Sequence, residues 1–351
     1  MKSKESGRVS MSCDDNESKV QNYPKVSIII PTFNGLELLK ISIPVLLKTK
    51  YPNIEVIVVE NGSSDGSASF LTETYPNVTV ISLKKNMGIV ATYNLGVSAA
   101  HGSLVSFLNN DMQVDPGWLL PLVLAMNVNK GVAGCDSKYF NYFERDKIDC
   151  SGGAGRFIDN YGNAVNRGGG EIDKGQFNIQ QEAFYALSLF RKDLLLKVGG
   201  FDESFFGYYD ETDLCWRLHR MGYKILFVPK SVIYHIGSAT TSGKGSKKKP
   251  RKIFVFHYYK NKLRMLIKNQ FGISLILSAP IFLFDLFGTG IKWLFSGDQE
   301  YIPCLGKALI WNLTNFKGTL QNRFRFKNES TDFKRLFLSY SGVWKTRRTF
   351  L

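Results

Sequence analysis

The sequence has few cysteines and lacks the short motifs that mark several common nucleotide-binding and hydrolytic sites. Its 351 residues include five widely spaced cysteines and no CxxC pair. An odd number at such spacing disfavours a disulfide framework or a zinc site and is typical of a reducing compartment. No GxxxxGK[ST], GxSxG or HExxH pattern occurs, and no GxGxxG follows a predicted strand. These absences count against P-loop, α/β-hydrolase, zincin and dinucleotide-binding sites.

The first residues contain no apolar run of the kind that forms the centre of a signal peptide. Residues 1–23 are polar and of mixed charge, a composition that buries too little apolar surface to fold by itself. We therefore expect a disordered leader rather than a secretion signal, with folded structure beginning at Pro24.

Acidic residues are scarce in the last third of the chain. Residues 244–351 contain 21 Lys and Arg but 5 Asp and Glu, whereas residues 1–243 contain 24 and 25. This contrast predicts a near-neutral globular domain at 24–243 followed by a basic, apolar, helical region at 244–351. Charge alone does not distinguish nucleic acid, a membrane surface or an anionic substrate as the partner of the basic region.

The most apolar stretch, residues 273–295, is long enough to be considered as a transmembrane helix. Asp285 lies near its middle and Pro280 interrupts it, and an ionised Asp at the bilayer centre costs roughly +2.5 to +3.5 kcal/mol on insertion scales. We therefore favour helices that lie in the membrane interface, held by basic residues, Trp293 and Trp311. A spanning helix and a buried helix of a soluble protein remain alternatives.

Short β-branched runs alternate with segments of helical spacing in the first part of the chain. Strands are predicted at 26–30, 54–59, 78–82 and 104–108, with helices at 36–47, 67–74 and 89–100. Such alternation indicates right-handed βαβ units and hence a Rossmann-like α/β fold with a mostly parallel sheet. Ligands of these sheets bind at the carboxyl ends of the strands, which here precede the polar clusters 32–35, 60–65 and 109–111.

The pattern weakens after residue 130. Glycine is frequent between 131 and 181, which predicts loops and short strands beside an acceptor entrance. A helix is expected near 191–198, a second helix from the acidic cluster at 210–213 to Met221, and a strand at 223–228. Residues 237–250, rich in Gly, Ser and Lys, are expected to form a flexible linker or lid.

Two acidic clusters and one histidine are the candidates for chemistry. Asp111 follows the fourth strand, where a carboxylate can bind Mg²⁺ or Mn²⁺ and through it a diphosphate, although an Asn/Asp turn is the ordinary alternative. Asp210, Glu211 and Asp213 open a helix, which acidic residues stabilise at its N-terminus. Three carboxylates exceed that need, so one of them is a candidate general base. For His235 a structural role and a metal or diphosphate contact are both open.

The order of these segments resembles glycosyltransferase family 2, inverting enzymes of GT-A fold, including its rhamnosyltransferase-like members. The resemblance covers roughly residues 24–269. It rests on VSIIIPTFN (26–34), VVENGSSDG (58–66), KNMG (85–88), YNLG (93–96), FLNND (107–111), GGFDE (199–203), YDETDL (209–214) and FHYYKN (256–261).

The resemblance implies roles for the residues that match these motifs. Those implied to bind the donor are Pro31, Thr32, Asn34, Glu60, Asn86, Gly88, Asn110 and Asp111. It further implies that Asp111 binds the metal, with His235 as a second metal candidate from its position alone. Glu211 would be the catalytic base, with Asp210 as the alternative, and Asp213 and Tyr209 would lie at the acceptor side or simply at the helix start.

Three positions depart from the family pattern. Position 60 is commonly Asp, and Glu60 reaches one methylene further. The metal motif reads Asn-Asn-Asp and keeps a single carboxylate, Asp111. The pair before the late helix reads Asp-Glu where Glu-Asp is usual, which leaves the base open between Asp210 and Glu211.

The resulting prediction is a metal-dependent, inverting glycosyltransferase of cell-surface polysaccharide or glycoconjugate synthesis. Its donor would be a UDP- or dTDP-sugar, and its acceptor a glycan or polyprenyl-linked hydroxyl at the cytoplasmic face of the membrane. The C-terminal region would bind the membrane surface as a peripheral anchor, and no nucleic acid is expected. One alternative is a sugar nucleotidyltransferase, which should carry a basic Gly-rich loop where residues 32–35 have no Lys or Arg. The other is a non-catalytic membrane-associated assembly protein, which would leave the acidic clusters unexplained.

Overall fold

The computed structural model describes residues 23–237, 251–270, 272–325 and 336–338. The predicted leader at 1–23, apart from its last residue, and nearly all of the predicted linker at 237–250 lie outside the described residues.

The first part of the chain follows the predicted alternation of strands and helices. Its elements are β1 (Val26–Thr32), α1 (Leu36–Leu46), β2 (Ile54–Glu60), α2 (Ser67–Thr74), β3 (Thr79–Ser82), α3 (Ile89–Ala99) and β4 (Leu104–Phe107). All residues of β1 and β4 are buried, as expected for strands covered by helices on both faces. The polar clusters at 32–35, 60–65 and 109–111 therefore follow the carboxyl ends of three neighbouring parallel strands.

The second part adds short strands around one long pair. Its elements are β5 (Met112–Val114), α4 (Leu119–Val128), β6 (Val132–Asn141), β7 (Arg156–Asp159), β8 (Ala164–Asn166), β9 (Gln181–Ala183), β10 (Leu189–Arg191), α5 (Lys192–Lys197), α6 (Asp210–Arg220) and β11 (Lys224–His235). The prediction of loops and short strands at 131–181 misses β6. That strand buries Asp136, Ser137 and Lys138, whose polarity conceals a strand that the tertiary structure stabilises.

One sheet organises the described part of the chain, with the order β3-β2-β1-β4-β10-β6-β11-β5 and with β9 paired to β11. The strands from β3 to β4 are parallel, as are β6 and β11, whereas β10, β5 and β9 pair antiparallel with their neighbours. Large apolar clusters pack on both faces of this sheet. The predicted α/β fold with a helical C-terminal region is confirmed.

The strand predicted at 223–228 is longer than expected. β11 continues past Pro229 to His235, with a shift in its register against β6 between Val228 and Val232. Since this irregularity leaves residues 229–231 without partners in β6, it allows a proline within a long strand. The extension pairs the end of β11 with β5 and brings His235 opposite Met112.

The C-terminal region consists of helices. They are α7 (Lys252–Asn269), α8 (Gly272–Ser296), α9 (Ile302–Thr314) and α10 (Phe316–Phe324), with a 3-10 turn at Gln299–Tyr301 and a short strand, β12 (Phe337–Leu338), that pairs with β7. The end of α7 is tied to α6 by buried polar contacts: Lys268 Nζ lies 2.9 Å from Asp213 Oδ2, and Asn269 Nδ2 donates to Asp213 Oδ1 at 2.7 Å. The domain boundary near residue 243 stays a prediction.

Candidate active site

Three predicted donor-binding side chains meet where β1, β2 and β4 end. Thr32 is opposite Glu60 in the parallel register, and Asn110 Nδ2 donates to Thr32 Oγ1 at 3.0 Å. All three are buried, and Pro31 is buried within β1. Buried polar groups are stable when they are hydrogen-bonded, so this corner is an ordered polar cluster at the edge where α/β sheets bind ligands.

Hydrogen bonds join the loop after β1 to the loop after β2. Asn34, with a left-handed φ of 47°, receives a hydrogen bond on its side-chain oxygen from the Ser64 amide at 2.9 Å, and its own amide donates to Ser63 Oγ at 2.9 Å. Glu60 accepts a hydrogen bond from the Ser63 amide. The longer side chain at position 60 is thus turned toward its own loop.

The loop before α3 is held by hydrogen bonds to the Asn86 side chain. Asn86 Oδ1 accepts from Asn61 Nδ2 at 3.1 Å and from the Gly88 amide at 2.9 Å. Gly88 has φ of 85°, and a Cβ atom there would lie 2.4 Å from the carbonyl oxygen of Phe206. Only glycine fits such a backbone contact, so this residue joins the loop before α3 to the segment that precedes Asp210 and Glu211.

Both metal candidates are in direct contact. His235 Nε2 lies 3.3 Å from Asp111 Oδ2, and the backbone amide of Ile236 donates to the Asp111 carbonyl at 2.9 Å. On its other side, His235 Nδ1 lies 3.2 Å from Asp149 Oδ1. Burial alone would lower the pKa of His235, but hydrogen bonds and negative charge from Asp111 and Asp149 raise it to about 10.

The donor atoms fit one divalent cation that takes its remaining ligands from elsewhere. Asp111 Oδ1 is buried and accepts no hydrogen bond from any residue that the structure describes. Among these same residues, no group of three His, Cys, Asp or Glu side chains could hold a metal ion, because Asp149 binds the far nitrogen of His235. Mn²⁺ and Mg²⁺ sites often use one or two protein ligands and complete their shell with phosphate and water oxygens.

The acidic pair at the start of α6 divides into a buried and an accessible carboxylate. Asp210 is 5% exposed, and burial, followed by the charge of Glu211, raises its pKa to about 7. The Glu211 side chain retains 30% of its accessibility and forms an ion pair with Arg156 Nη1 at 3.1 Å. Of the two alternatives, Glu211 is therefore the one whose carboxylate is open to an acceptor.

The two acidic clusters converge around Tyr93. Its hydroxyl donates to Asn109 Oδ1 at 3.0 Å. Burial raises the pKa of Tyr93 most, and the charges of Glu211, Asp210 and Asp111 raise it further. Since such effects fall off with distance, both acidic clusters lie within electrostatic range of the Tyr93 hydroxyl.

Asp213 and Tyr209 lie where α6 begins, and the surrounding contacts hold that helix start in place. Asp213 is fully buried and forms ion pairs with Arg217 at 2.8 Å and with Lys268 at 2.9 Å, contacts that favour the helix-start alternative. Tyr209, like Tyr208, has a left-handed φ, and Asn261 Nδ2 on α7 donates to the Tyr208 carbonyl at 3.0 Å. This bond supports the strained turn that leads into Asp210.

Four residues around the candidate site were not predicted from the sequence: Asn61, Asp149 and Arg156, which contact candidate site residues, and Asp136, which contacts Arg156. Asn61 lies within a quoted motif and could have been included. Asp149 and Arg156 are isolated charges in a Gly-rich stretch, where each looks like an ordinary solvated residue.

Comparison with known proteins identifies the family of the first part of the chain. Residues 27–193 match the family described as Glycosyl transferase family 2, and the chain therefore carries a domain of this family, as the motifs predicted.

Two curated relatives illustrate its range. The O-antigen biosynthesis protein RfbC of Myxococcus xanthus is 28% identical over 63% of this chain and 18% of its own length. The GalNAc(5)-diNAcBac-PP-undecaprenol beta-1,3-glucosyltransferase of Campylobacter jejuni is 26% identical over 72% of this chain and 76% of its own. Against RfbC and two further curated relatives, the chain spans 18% to 38% of their length.

Among solved structures, GalNAc-T7 with UDP, GalNAc and Mn²⁺ is similar with a TM-score of 0.56 and 17% identity, over 70% of this chain and 49% of that one. At this identity the likeness shows the GT-A-like fold alone.

Proposed function

We propose that this chain is an inverting glycosyltransferase that moves a sugar from a nucleoside-diphosphate sugar to a hydroxyl of a glycan or lipid-linked acceptor. The observation that carries the proposal is the contact between Asp111 and His235 at the carboxyl edge of the sheet, together with the accessible carboxylate of Glu211, whose charge acts on the same buried Tyr93 as that of Asp111. Family membership supports the reaction class. The Campylobacter relative, named for transfer to an undecaprenol-linked glycan, supports the acceptor class.

In this proposal the donor nucleotide, a UDP- or dTDP-sugar, lies in the pocket formed by Thr32, Glu60 and Asn110. Asn86 and Gly88 adjoin the ribose and the diphosphate. The fixed loops around Asn34 and Asn61 support this assignment, because a preformed pocket loses little conformational entropy when it binds a ligand.

Asp111 and His235 would hold Mn²⁺ or Mg²⁺, which supplies a positive charge that stabilises the departing diphosphate. Asp111 Oδ1 has no hydrogen-bond partner among the described residues, which supports Asp111 as a ligand. His235 Nε2 lies beside Asp111 and would bind the metal on losing the proton that its raised pKa holds in the metal-free protein. The fold neighbour GalNAc-T7 was solved with Mn²⁺.

Glu211 would act as the general base. Its carboxylate accepts the proton of the acceptor hydroxyl while the acceptor oxygen bonds to the anomeric carbon and the bond to the diphosphate breaks, in one displacement with inversion. Asp210 is less suited to this role, because its buried carboxyl gains a proton near neutral pH.

We further propose that the chain works at the cytoplasmic membrane surface, held by α8 and α9. In the described part of the chain, α8 is the one helix long and apolar enough to cross a membrane, and only 17% of its most apolar window is buried. Its inner side carries Ser278, Asp285 and Thr289, all buried or half-buried. Its outer side is mostly apolar, with Phe284 80% and Phe295 87% exposed, and the exposed Lys292 and Ser296 lie near its end.

This arrangement is the reverse of a helix in water, whose polar side faces the solvent. It argues against a buried helix of a soluble protein. Because Phe282, Leu286 and Trp293 contact the protein along much of the helix, we favour a helix lying in the membrane interface over one that spans the bilayer.

The direct test is donor hydrolysis. Purified protein with Mn²⁺ and a panel of nucleotide sugars should release a nucleoside diphosphate from at least one donor. Asp111→Ala and Glu211→Gln should each reduce this release by about 100-fold or more, whereas Asp210→Asn should reduce it less. Absence of release from every donor would contradict the proposal. Formation of pyrophosphate from a nucleoside triphosphate and a sugar phosphate would instead identify a nucleotidyltransferase.

A further inference from the structure

Arg156, the first residue of β7, connects Glu211 to a buried acidic residue. Its Nη1 atom lies 3.1 Å from Glu211 Oε2, and its Nε and Nη2 atoms each lie 3.3 Å from Asp136 Oδ2. Arg156 is 8% exposed and Asp136 is fully buried. The guanidinium therefore binds two carboxylates, one in the protein interior and one at the active site.

Several neighbouring residues hold Asp136 and the Arg156 guanidinium in place. Asp136 Oδ1 accepts hydrogen bonds from Tyr139 Oη at 2.9 Å and from Ser188 Oγ at 3.1 Å. The guanidinium also lies over the ring of Tyr185, 5.1 Å from its centroid. A planar guanidinium held by hydrogen bonds and by stacking has little freedom, so the position of Nη1 beside Glu211 is fixed by the core of the protein.

Charge balance in the core does not require the contact with Glu211. Asp136 already neutralises Arg156, and Glu211 is partly exposed to solvent, where an ion pair contributes little to stability. A second ion pair on α6 has a different character, since Arg217 and Asp213 are both buried and join α6 to the helix ends around it.

We propose that Arg156 is a positioning residue for Glu211: it holds the carboxylate of the base in one place at the active site. This inference rests on the proposed function. A free Glu side chain samples several rotamers, and ordering it at the moment of reaction would cost conformational entropy. The groups that act on Glu211 are Arg156 from β7, Asp210 and Cys215 from α6, Tyr93 from α3 and Tyr185. Arg156 is the cation in this set, so its loss leaves Glu211 beside Asp210 with no compensating charge.

The test measures donor hydrolysis as a function of pH, with the nucleotide sugar that the unmodified protein cleaves fastest and with saturating Mn²⁺. For Arg156→Met we expect kcat to fall about 100-fold while KM for the donor changes by less than about threefold. The acidic limb of the pH–rate profile should move up by about one pH unit, because loss of a neighbouring cation favours the protonated carboxyl. Arg156→Lys should recover part of kcat and most of the shift.

A matched control is Arg167→Met. Arg167 also stacks on aromatic rings, those of Phe177 and Phe227, and donates to the Ala154 carbonyl, but no contact joins it to Glu211 among the described residues. Its pH–rate profile should match that of the unmodified protein.

A second comparison separates positioning from folding. In a Glu211→Gln background, Arg156→Met should change kcat by less than about twofold, because a residue that acts through Glu211 has no effect once that carboxylate is gone. A further large loss in that background, or an unchanged acidic limb in the single variant, would overturn the inference. An unmodified protein that cleaves no donor would instead refute the proposed function on which the inference rests.

Discussion

Nδ1 of His235 lies 3.2 Å from a carboxylate oxygen of Asp149, and this pair directs the other ring nitrogen toward Asp111. A carboxylate behind a metal-binding histidine fixes the orientation of the ring and increases its basicity. Asp149 is itself held, since its Oδ1 also accepts hydrogen bonds from the amides of Ser151 and Gly152, both at 2.8 Å. The loop after β6 thus supports the proposed metal ligand from behind.

Asp149→Asn should weaken Mn²⁺ binding by roughly 10- to 100-fold, because the loss of such a supporting group typically costs that much affinity. Binding of Mn²⁺ in the presence of UDP can be followed by electron paramagnetic resonance, independently of catalysis. Asp173→Asn is the control, since Asp173 is paired with Lys138 at 2.6 Å and has no recorded contact with His235. Equal Mn²⁺ affinities for the two variants would show that Asp149 does not support the site.

Gly88 and Gly66 offer a matched pair for the contact between the donor loop and the α6 entry. Both have a positive φ, 85° and 83°, but ψ is 165° at Gly88 and 9° at Gly66, so only Gly66 is in the left-handed helical region. A Cβ atom at Gly88 would lie 2.4 Å from the Phe206 carbonyl, whereas one at Gly66 would have nothing within 4 Å. Gly66→Ala should lower the free energy of unfolding by about 1 kcal/mol through backbone strain alone.

Gly88→Ala adds a clash with backbone and should cost about 3 kcal/mol in urea unfolding. It should also weaken nucleotide binding, because the loop has to move. Similar unfolding midpoints for the two variants would mean that the Gly88 contact with Phe206 is not tight.

The buried carboxyl of Asp210 makes the stability of the metal-free protein depend on pH. Its pKa, ordinarily 3.8, is raised to about 7 by burial and then by the charge of Glu211. The folded protein thus retains a proton that the unfolded chain has lost, so stability falls as pH rises from about 4 to 7.

Asp210→Asn removes this dependence and should stabilise the metal-free protein at pH 8 by a few kcal/mol at most, since one pKa unit corresponds to about 1.4 kcal/mol. The gain should vanish at pH 4. Thermal unfolding in EDTA at both pH values provides the measurement, with the exposed Asp193→Asn as control. A gain that is the same at both pH values would argue against a protonated Asp210.

The extent to which the sequence predicted the fold depends on whether local pattern or distant contacts determine each element. The helices α1, α2 and α3 and the strands between them lie within one or two residues of their predicted bounds, because apolar periodicity and glycine turns are local signals. β6 was missed because its buried Asp136 and Lys138 are stabilised by Arg156 and Asp173, which lie far along the chain.

In the candidate site, too, local patterns predict some features and distant contacts determine the others. Asp111 follows a predictable strand, but its contact with His235 depends on the antiparallel pairing of β11 with β5, which no local pattern indicates. Asp210 and Glu211 look equivalent in sequence, and the burial of one and the ion pair of the other separate them. The orientation of α8 was likewise hidden, because both of its sides are largely apolar and the inward direction of Asp285 depends on packing.

The outward apolar side of α8 should mediate binding to an anionic membrane. Phe284 and Phe287 are 80% and 63% exposed, and insertion of each ring into lipid contributes about 1.5–3 kcal/mol. The basic excess of residues 244–351 adds attraction to anionic lipids that salt weakens. The full chain should therefore float with vesicles that contain phosphatidylglycerol, and do so less with purely zwitterionic vesicles or in high salt.

The double variant Phe284→Asp/Phe287→Asp should lose at least about tenfold in vesicle affinity, because it removes both rings and introduces two charges that repel an anionic surface. Val128→Asp/Ile179→Asp is the matched control, with the same charge change at residues that are 82% and 70% exposed and lie outside the C-terminal helices. Donor hydrolysis should persist in both variants, since neither pair of positions lies at the site. Equal flotation of the two variants would show that α8 is not the membrane contact, whereas release of both would indicate that net charge alone determines binding.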